Sequence, residues 1–293
     1  MTELESFTQE DWENLFNSED AICHYTSFEN GMDILSSGKI KLSPFKDAND
    51  PFEFLDKPFI GNQGDINIHM DSRSVASFHI NDDIKHRVKF LSFCTNYDSK
   101  VICGETGSER TEKIIYKCYG KPRMWAQYGR NHSGLCLIFS KKKLEELITN
   151  KNIVSGFTVY YESEINDYPP LNLRKSYHIE YVSEYISNNM QSIFYKKTAD
   201  FVDENEYRIV AYFQSGEELS IPIKDLLIGV IRGAKIKSEW NVNAFKQVCE
   251  TINVYPYYLH WENGKFNAEI EFDVVMKTGE WPYKHKSITR YLP

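Results

Sequence analysis

The stretch "AICHYTSFENGMDILSSGKIKLSP", residues 21–44, decides the fold class. Residues 21–26 alternate as a strand, with Ile22, His24 and Thr26 on one face and Cys23, Tyr25 and Ser27 on the other. The chain passes at once into FENGMDILSSG, a helix that Gly38 stops, and then into the strand KIKLS. The same mixture continues outward. KFLSFCTN (89–96), GLCLIF (134–139) and IVSGFTVYYE (153–162) read as strands, as do EYRIVAYF, LLIGVIRG, NVYPYYLHW and KFNAEIEFDVV further on. Helical spacing predicts helices over 8–18, opened by the capping-box-like T-Q-E-D of Thr8 to Asp11, and in SEWNVNAFKQVCETI. KPRMWAQYG reads as a short helix with Pro122 at its first position and Gly129 just past its end. The longest helical pattern is YHIEYVSEYISNNMQSIFYKK (177–197). PFKDANDPFEF is a turn-rich segment marked by Asn49, Asp50 and Pro51, while the polar stretches 61–77 and 97–111 read as long surface loops or lids.

Many strands with irregularly spaced helices predict an α+β fold, a mixed, largely antiparallel sheet with flanking helices, in preference to a parallel βαβ series. The sequence contains no G-x-G-x-x-G or Walker A pattern, which disfavours a dinucleotide fold of the Rossmann type. With 293 residues and no repeat or linker, the expectation is a single domain over 1–293, ending in a strand and tail at 261–293. A net charge of −8 argues against a general polyanion binder. The six cysteines (Cys23, Cys94, Cys103, Cys118, Cys136, Cys249) lie far apart without a C-x-x-C pair, and read as reduced core thiols; no metal site is expected. The acidic opening MTELESFTQEDW is unlike a signal peptide, and no apolar run approaches the ~18 residues of a membrane span. The chain is therefore expected to be cytoplasmic, with no membrane partner.

Two places concentrate chemistry. In DFVDENEYRIVAYF (200–213), extension from Glu204 would place Glu204, Glu206 and Arg208 on one face and Tyr207, Ile209 and Ala211 on the other. Either Arg208 neutralises Glu206 at a wet sheet edge, or a carboxylate is held there to orient a hydroxyl and steady developing positive charge. His24 poses a similar choice between a satisfied core residue and, beside Tyr25 and Thr26, a reader of phosphate or ribose hydroxyls. In MWAQYG (124–129), Trp125 reads first as a core residue, and Tyr128 offers a face on which a flat ring could stack. From Arg110 to Lys143 the chain carries nine Lys and Arg residues against the single acid Glu112, either a solvated face or a holder of pyrophosphate or nucleic acid. No G-x-S-x-G elbow, zinc helix or thiol-protease signature is present.

Taken together, HYTS with the following ILSSGKIKLS, then NDPFE (49–53), LSFCTN (91–96), MWAQYGRNHSGLCLIF (124–139) and ENEYRIV (204–210), resemble a widespread bacterial family of unknown function over roughly residues 21–260. That family in turn resembles divergent ADP-ribosyltransferases. The resemblance implies that NAD is a substrate, that His24 with Tyr25 and Thr26 contacts its ribose, and that Glu206 steadies the ribosyl cation. It also implies that Glu204 acts as general base toward a nucleic-acid or protein acceptor and that Arg208 or the basic stretch faces the pyrophosphate. Tyr128 matches the nicotinamide-stacking position, with Trp125, Tyr25 and Tyr116 as alternatives. A toxin or phage-defence setting is implied by the same likeness alone. Two other classes stay open: a non-catalytic nucleotide or nucleic-acid sensor, and an interaction module built on Trp281, Tyr283 and Tyr291.

Overall fold

The structure, a computed structural model, describes residues 18–48, 50–57, 59, 70–103, 110–149, 154–163, 168–172, 175–176, 178–213, 218–262 and 265–270. The expected helix at 8–18, apart from its last residue, and the aromatics Trp281, Tyr283 and Tyr291 lie outside those residues. The fold is α+β, a mixed and mostly antiparallel open sheet with several helices. Its strands are β1 (Ala21–Thr26), β2 (Lys39–Lys41), β3 (Ser43–Pro44), β4 (Val88–Thr95), β5 (Tyr97–Cys103), β6 (Arg110–Tyr116), β7 (Leu135–Ser140) and β8 (Val154–Thr158). They continue as β9 (Tyr160–Glu162), β10 (Lys196–Thr198), β11 (Glu206–Tyr212), β12 (Ser220–Pro222), β13 (Leu227–Arg232), β14 (Pro256–Glu262) and β15 (Lys265–Ile270). The helices are α1 (Phe28–Ser37), α2 (Pro51–Phe54), α3 (Met70–Arg87), α4 (Pro122–Gln127), α5 (Lys141–Thr149), α6 (Ile179–Asn188), α7 (Met190–Phe194) and α8 (Glu239–Thr251).

The chain divides into two compact units, one made of residues 1–40, 93–144 and 222–293, the other of 41–92 and 145–221. In the first, the strand order is β15, β14, β13, β7, β1 and the Phe93–Thr95 end of β4. The pairings of β1 with β4 and β7, of β7 with β13 and of β14 with β15 are antiparallel, and β13 with β14 is parallel. Ser27 caps α1 by accepting a hydrogen bond from the Asn30 N–H at 3.1 Å, and Gly38 ends it with φ of 67°, a left-handed value that glycine adopts without a Cβ penalty. At Gly134 a Cβ would come within 2.1 Å of the Thr26 carbonyl oxygen, so only glycine lets the chain turn into β7 there. The core of this unit gathers Cys23, Tyr25, Cys94, Met124, Trp125, Cys136, Ile138, Ile231 and Leu259.

That core corrects one expectation. Cys23 and Cys118 form a disulfide across 95 residues of sequence, with a Cα separation of 5.7 Å. The two halves meet because the turn at Cys118–Gly120 packs on β1: the Tyr25 hydroxyl donates to the Cys118 carbonyl at 2.5 Å and the Cys118 N–H donates to Asn96 Oδ1 at 2.7 Å. Cys94, Cys136 and Cys249 are buried free thiols, and burial pushes that of Cys136 well up. Reducing the protein, or replacing Cys118 with Ser, is expected to lower stability by about 2–4 kcal/mol by freeing a long loop in the unfolded chain. Urea unfolding with and without reductant measures this, and an unchanged midpoint contradicts it.

The second unit holds the Val88–Ser92 part of β4, then β11 and β8, with β3 antiparallel on β4 at Ser43↔Phe90. β8 and β11 are antiparallel, with Arg208 opposite Phe157. Its core is Phe45, Phe59, Ile80, Ile84, Val88, Val182, Tyr185, Ile186, Phe194, Tyr195 and Val210 with their neighbours. Parts of two predicted loops are regular structure. Residues 70–77 open α3, which buries Ile80 and Ile84 four apart and leads to Val88, while 97–103 and 110–111 belong to the antiparallel pair of β5 and β6, matched from Tyr97↔Tyr116 to Cys103↔Arg110; 61–69 and 104–109 lie outside the described residues. The expected strand 153–162 divides at Val159, whose N–H donates to the Glu206 carbonyl; the long 177–197 pattern divides at Asn189 into α6 and α7 before β10.

Candidate functional site

The second unit brings Glu204, Glu206 and Arg208 together, though not by simple alternation. Glu204 ends a 3-10 turn over Ala199–Glu204, and Asn205, with φ of 45°, reverses the chain into β11. Every residue of β11 is buried, so the strand is no wet sheet edge. Arg208 is 0% exposed, with its guanidinium 5.3 Å from the Phe90 ring centre and 6.0 Å from that of Phe45. Its Nε donates to Glu206 Oε1 at 2.7 Å, Nη2 to Glu206 Oε2 at 3.0 Å, and Nη1 to the Phe194 carbonyl at 2.7 Å. Nη2 also contacts the Glu53 carboxylate. Lys197, on β10, places Nζ 2.7 Å from Glu204 Oε2 and 2.9 Å from Glu206 Oε2. Ser92 adds a hydroxyl donated to Glu206 Oε1 at 2.5 Å, and the Tyr161 hydroxyl accepts from the Glu206 N–H at 2.8 Å.

Three buried carboxylates thus share two buried cations. Burial alone would push Glu206 up, but the Arg208 guanidinium and the Lys197 ammonium outweigh it and hold the carboxyl down to about 2. Burial pushes Arg208 and Lys197 down, and the surrounding carboxylates, Glu206 foremost, raise both above their ordinary values. Glu53 goes the other way, because burial raises its carboxyl more than Arg208 lowers it. The contact with the Arg208 guanidinium, which keeps its proton, opposes that rise. Both oxygens of Glu206 are engaged, by three hydrogen bonds from Arg208 and Ser92 and by the Lys197 ion pair.

Lys57 lies against the same group. Its backbone is clamped by Asn81, which accepts from the Lys57 N–H at 2.8 Å and donates to its carbonyl at 3.0 Å. Its ammonium sits 5.3 Å from the Phe45 ring centre and 5.8 Å from that of Tyr168. Burial lowers the amine to about 8, with Glu53 and Asp50 opposing and Arg208 assisting. Through this group alone the folded protein binds fewer protons than the unfolded chain between about 8 and the ordinary lysine value of 10.5. The Lys57 contribution to stability is therefore expected to rise with pH through that window, so the wild-type urea midpoint should gain on that of Lys57→Met across it; a constant offset between the two profiles contradicts this.

The remaining expected residues belong to the first unit. His24 is half-buried on β1, its ring 5.9 Å edge-on from Phe93. Thr26 is buried, paired with Leu135. Tyr25 packs edge-on against Trp125 at 5.1 Å, and Trp125, 0% exposed, donates its Nε1–H to the Tyr119 carbonyl at 2.6 Å. Both rings are core. Tyr128 is half-buried just after α4, and the side chain of Tyr116 is outside the described residues. Sequence reasoning missed Glu53, Lys57, Ser92, Tyr161 and Lys197. Only NDPFE, which ends on Glu53, and LSFCTN, which holds Ser92, had been singled out as motifs.

The comparisons bear on this region. The profile of a family described as "Protein of unknown function (DUF2971)" matches residues 124–209. The matched stretch begins at Met124 of MWAQYG and takes in Lys197, Glu204, Glu206 and Arg208, but is narrower than the expected 21–260. No curated protein and no solved structure matches the chain. Among the described residues no helix is long and apolar enough to cross a membrane.

Proposed function

We propose that the chain is an ADP-ribosyltransferase-like protein that takes NAD as substrate. In the reaction the bond between ribose C1′ and the nicotinamide nitrogen breaks, its electron pair leaving with nicotinamide. A nucleophile of a macromolecular acceptor forms the new bond to C1′ and gives up its proton. The observation that supports this reading is Glu206: a carboxylate 2% exposed, kept ionised by Arg208 and Lys197 on a buried strand. A fixed negative charge in a water-poor setting is what an oxocarbenium-like transition state requires, and it needs no solvent reorganisation to act. Glu204, bound to the same Lys197, is the general base in this account.

A second reading is favoured by the saturation of Glu206. A carboxylate held by four partners serves as a structural anchor, and in this reading the chain would bind a nucleotide without turning it over. Incubating the purified chain with NAD and cell lysate, then measuring free nicotinamide and acceptor mass, separates the two. Release with a mass gain on an acceptor supports the transferase; saturable NAD binding without release supports the binder and overturns the transferase.

A further inference from the structure

Among its described side chains, the basic stretch from Arg110 to Lys143 is spread over several elements. Lys121 is buried, with its ammonium 4.5 Å from the Tyr97 ring centre, and Lys141, Lys142 and Lys143 follow the far end of β7 from Arg130. Arg130, Asn131 and His132 form a loop of three consecutive left-handed residues, with φ of 48°, 53° and 69°. Such a run persists only where its surroundings over-determine it. Here the Asn131 and His132 N–H groups donate to the Ala126 and Trp125 carbonyls, each at 3.1 Å, and the His132 ring stacks over Trp125 at 6.3 Å. Because β7 runs antiparallel to β13, this loop meets the segment that leaves β13. The Gly233 N–H donates to the Gly134 carbonyl and the Lys235 N–H to that of His132, both at 2.9 Å. Arg232 pins the same segment, its Nη1 donating to the Ile236 carbonyl at 2.8 Å and its guanidinium lying 5.4 Å from the Tyr258 ring centre.

Two mutually bonded, well-fixed loops therefore carry Arg130, Lys235 and Lys237, all exposed. Three residues beyond Lys237, in the first turn of α8, Trp240 is 81% exposed, more than any other large hydrophobic side chain among the described residues. Tryptophan is highly buried on average, so one this bare beside cations is informative in a protein of net charge −8. The one acid within 235–240, Glu239, sits in the first turn of α8, where the helix N-terminus favours it.

We propose that Trp240, Lys235, Lys237 and Arg130 form a docking surface for single-stranded nucleic acid. Trp240 would stack an unpaired base and the three cations would take neighbouring phosphates. A π-face is useful for a splayed base and of little use against the outside of a duplex, and three cations on fixed loops suit a short single-stranded track. The surface deepens the acceptor side of the transferase reading, yet it is measured without NAD, so its failure and the failure of that reading are separate results. The test is fluorescence anisotropy of a labelled thymidine oligonucleotide of about 15 residues with the full chain, against the matching duplex. Saturable binding is expected that weakens as salt rises from about 50 to about 200 mM, with the duplex bound less tightly. Trp240→Ala should weaken binding about tenfold, and Lys235→Glu with Lys237→Glu should weaken it further and lower the salt slope by about one. These are exposed positions, and an unchanged thermal midpoint confirms that each variant is folded. No binding, preference for the duplex, or affinities that both variants leave unchanged would overturn the proposal.

Discussion

Replacing Arg208 with leucine is expected to cost about 3–5 kcal/mol of stability, because it leaves Glu206 without its bidentate partner and Glu53 without its cation in a buried setting. The magnitude reflects the charges left behind more than any net worth of the ion pair, since desolvating the pair consumes most of its Coulomb energy. Two controls follow. Lys41→Ala breaks an ion pair with Glu218 whose partners are 68% and 76% exposed, and should leave the urea midpoint essentially unchanged. Glu206→Leu added to Arg208→Leu should lose less than the sum of the single changes, because it removes the stranded carboxylate. Urea unfolding of wild type, Arg208→Leu, Glu206→Leu, the double variant and Lys41→Ala measures all of this; an Arg208→Leu midpoint near that of wild type would mean that the cluster is wet and only loosely coupled.

Glu206→Gln is expected to lower nicotinamide release by about 10²–10³-fold, the range typical for removing one preorganised electrostatic contact to a transition state. Glu204→Gln should spare release and lower transfer to the acceptor, since the base acts on the acceptor's proton. The folded carboxyl of Glu206 lies at about 2, below the ordinary 4.5, so its stabilising contribution is complete above 4.5 and is lost as pH falls through about 2. No limb of the rate profile between about pH 5 and 9 should therefore belong to Glu206. Burial of an uncharged amide next to Lys197 and Arg208 also costs stability, so the folded fraction of the variant is measured alongside its activity.

Much of the fold was legible because its local signals agree. Ser27, Gly38 and the alternation of residues 21–26 specify strand and helix within one short stretch, and Pro122 with Gly129 bounds α4. The helix α3 was hidden because, among its described side chains, the buried apolar ones are only Ile80 and Ile84, followed by Val88, within a polar surround. Of the site, Glu206 and Arg208 could be paired by their spacing along β11, but Glu204 joins them through a turn at Asn205 that no period describes. Lys197 and Glu53 arrive from β10 and from α2, and sequence spacing carries no information about such long-range meetings. The Cys23 and Cys118 disulfide was invisible for the same reason, its halves lying 95 residues apart.

The most direct measurement of the central claim is nicotinamide released from NAD by the wild-type chain and by Glu206→Gln, each compared at equal folded concentration. The account predicts release by the wild type and a loss of about a hundredfold or more in the variant, with NAD still bound. Equal release by the two proteins, or none by the wild type, would contradict it and leave the Glu53, Lys197, Glu204, Glu206 and Arg208 cluster as a structural anchor.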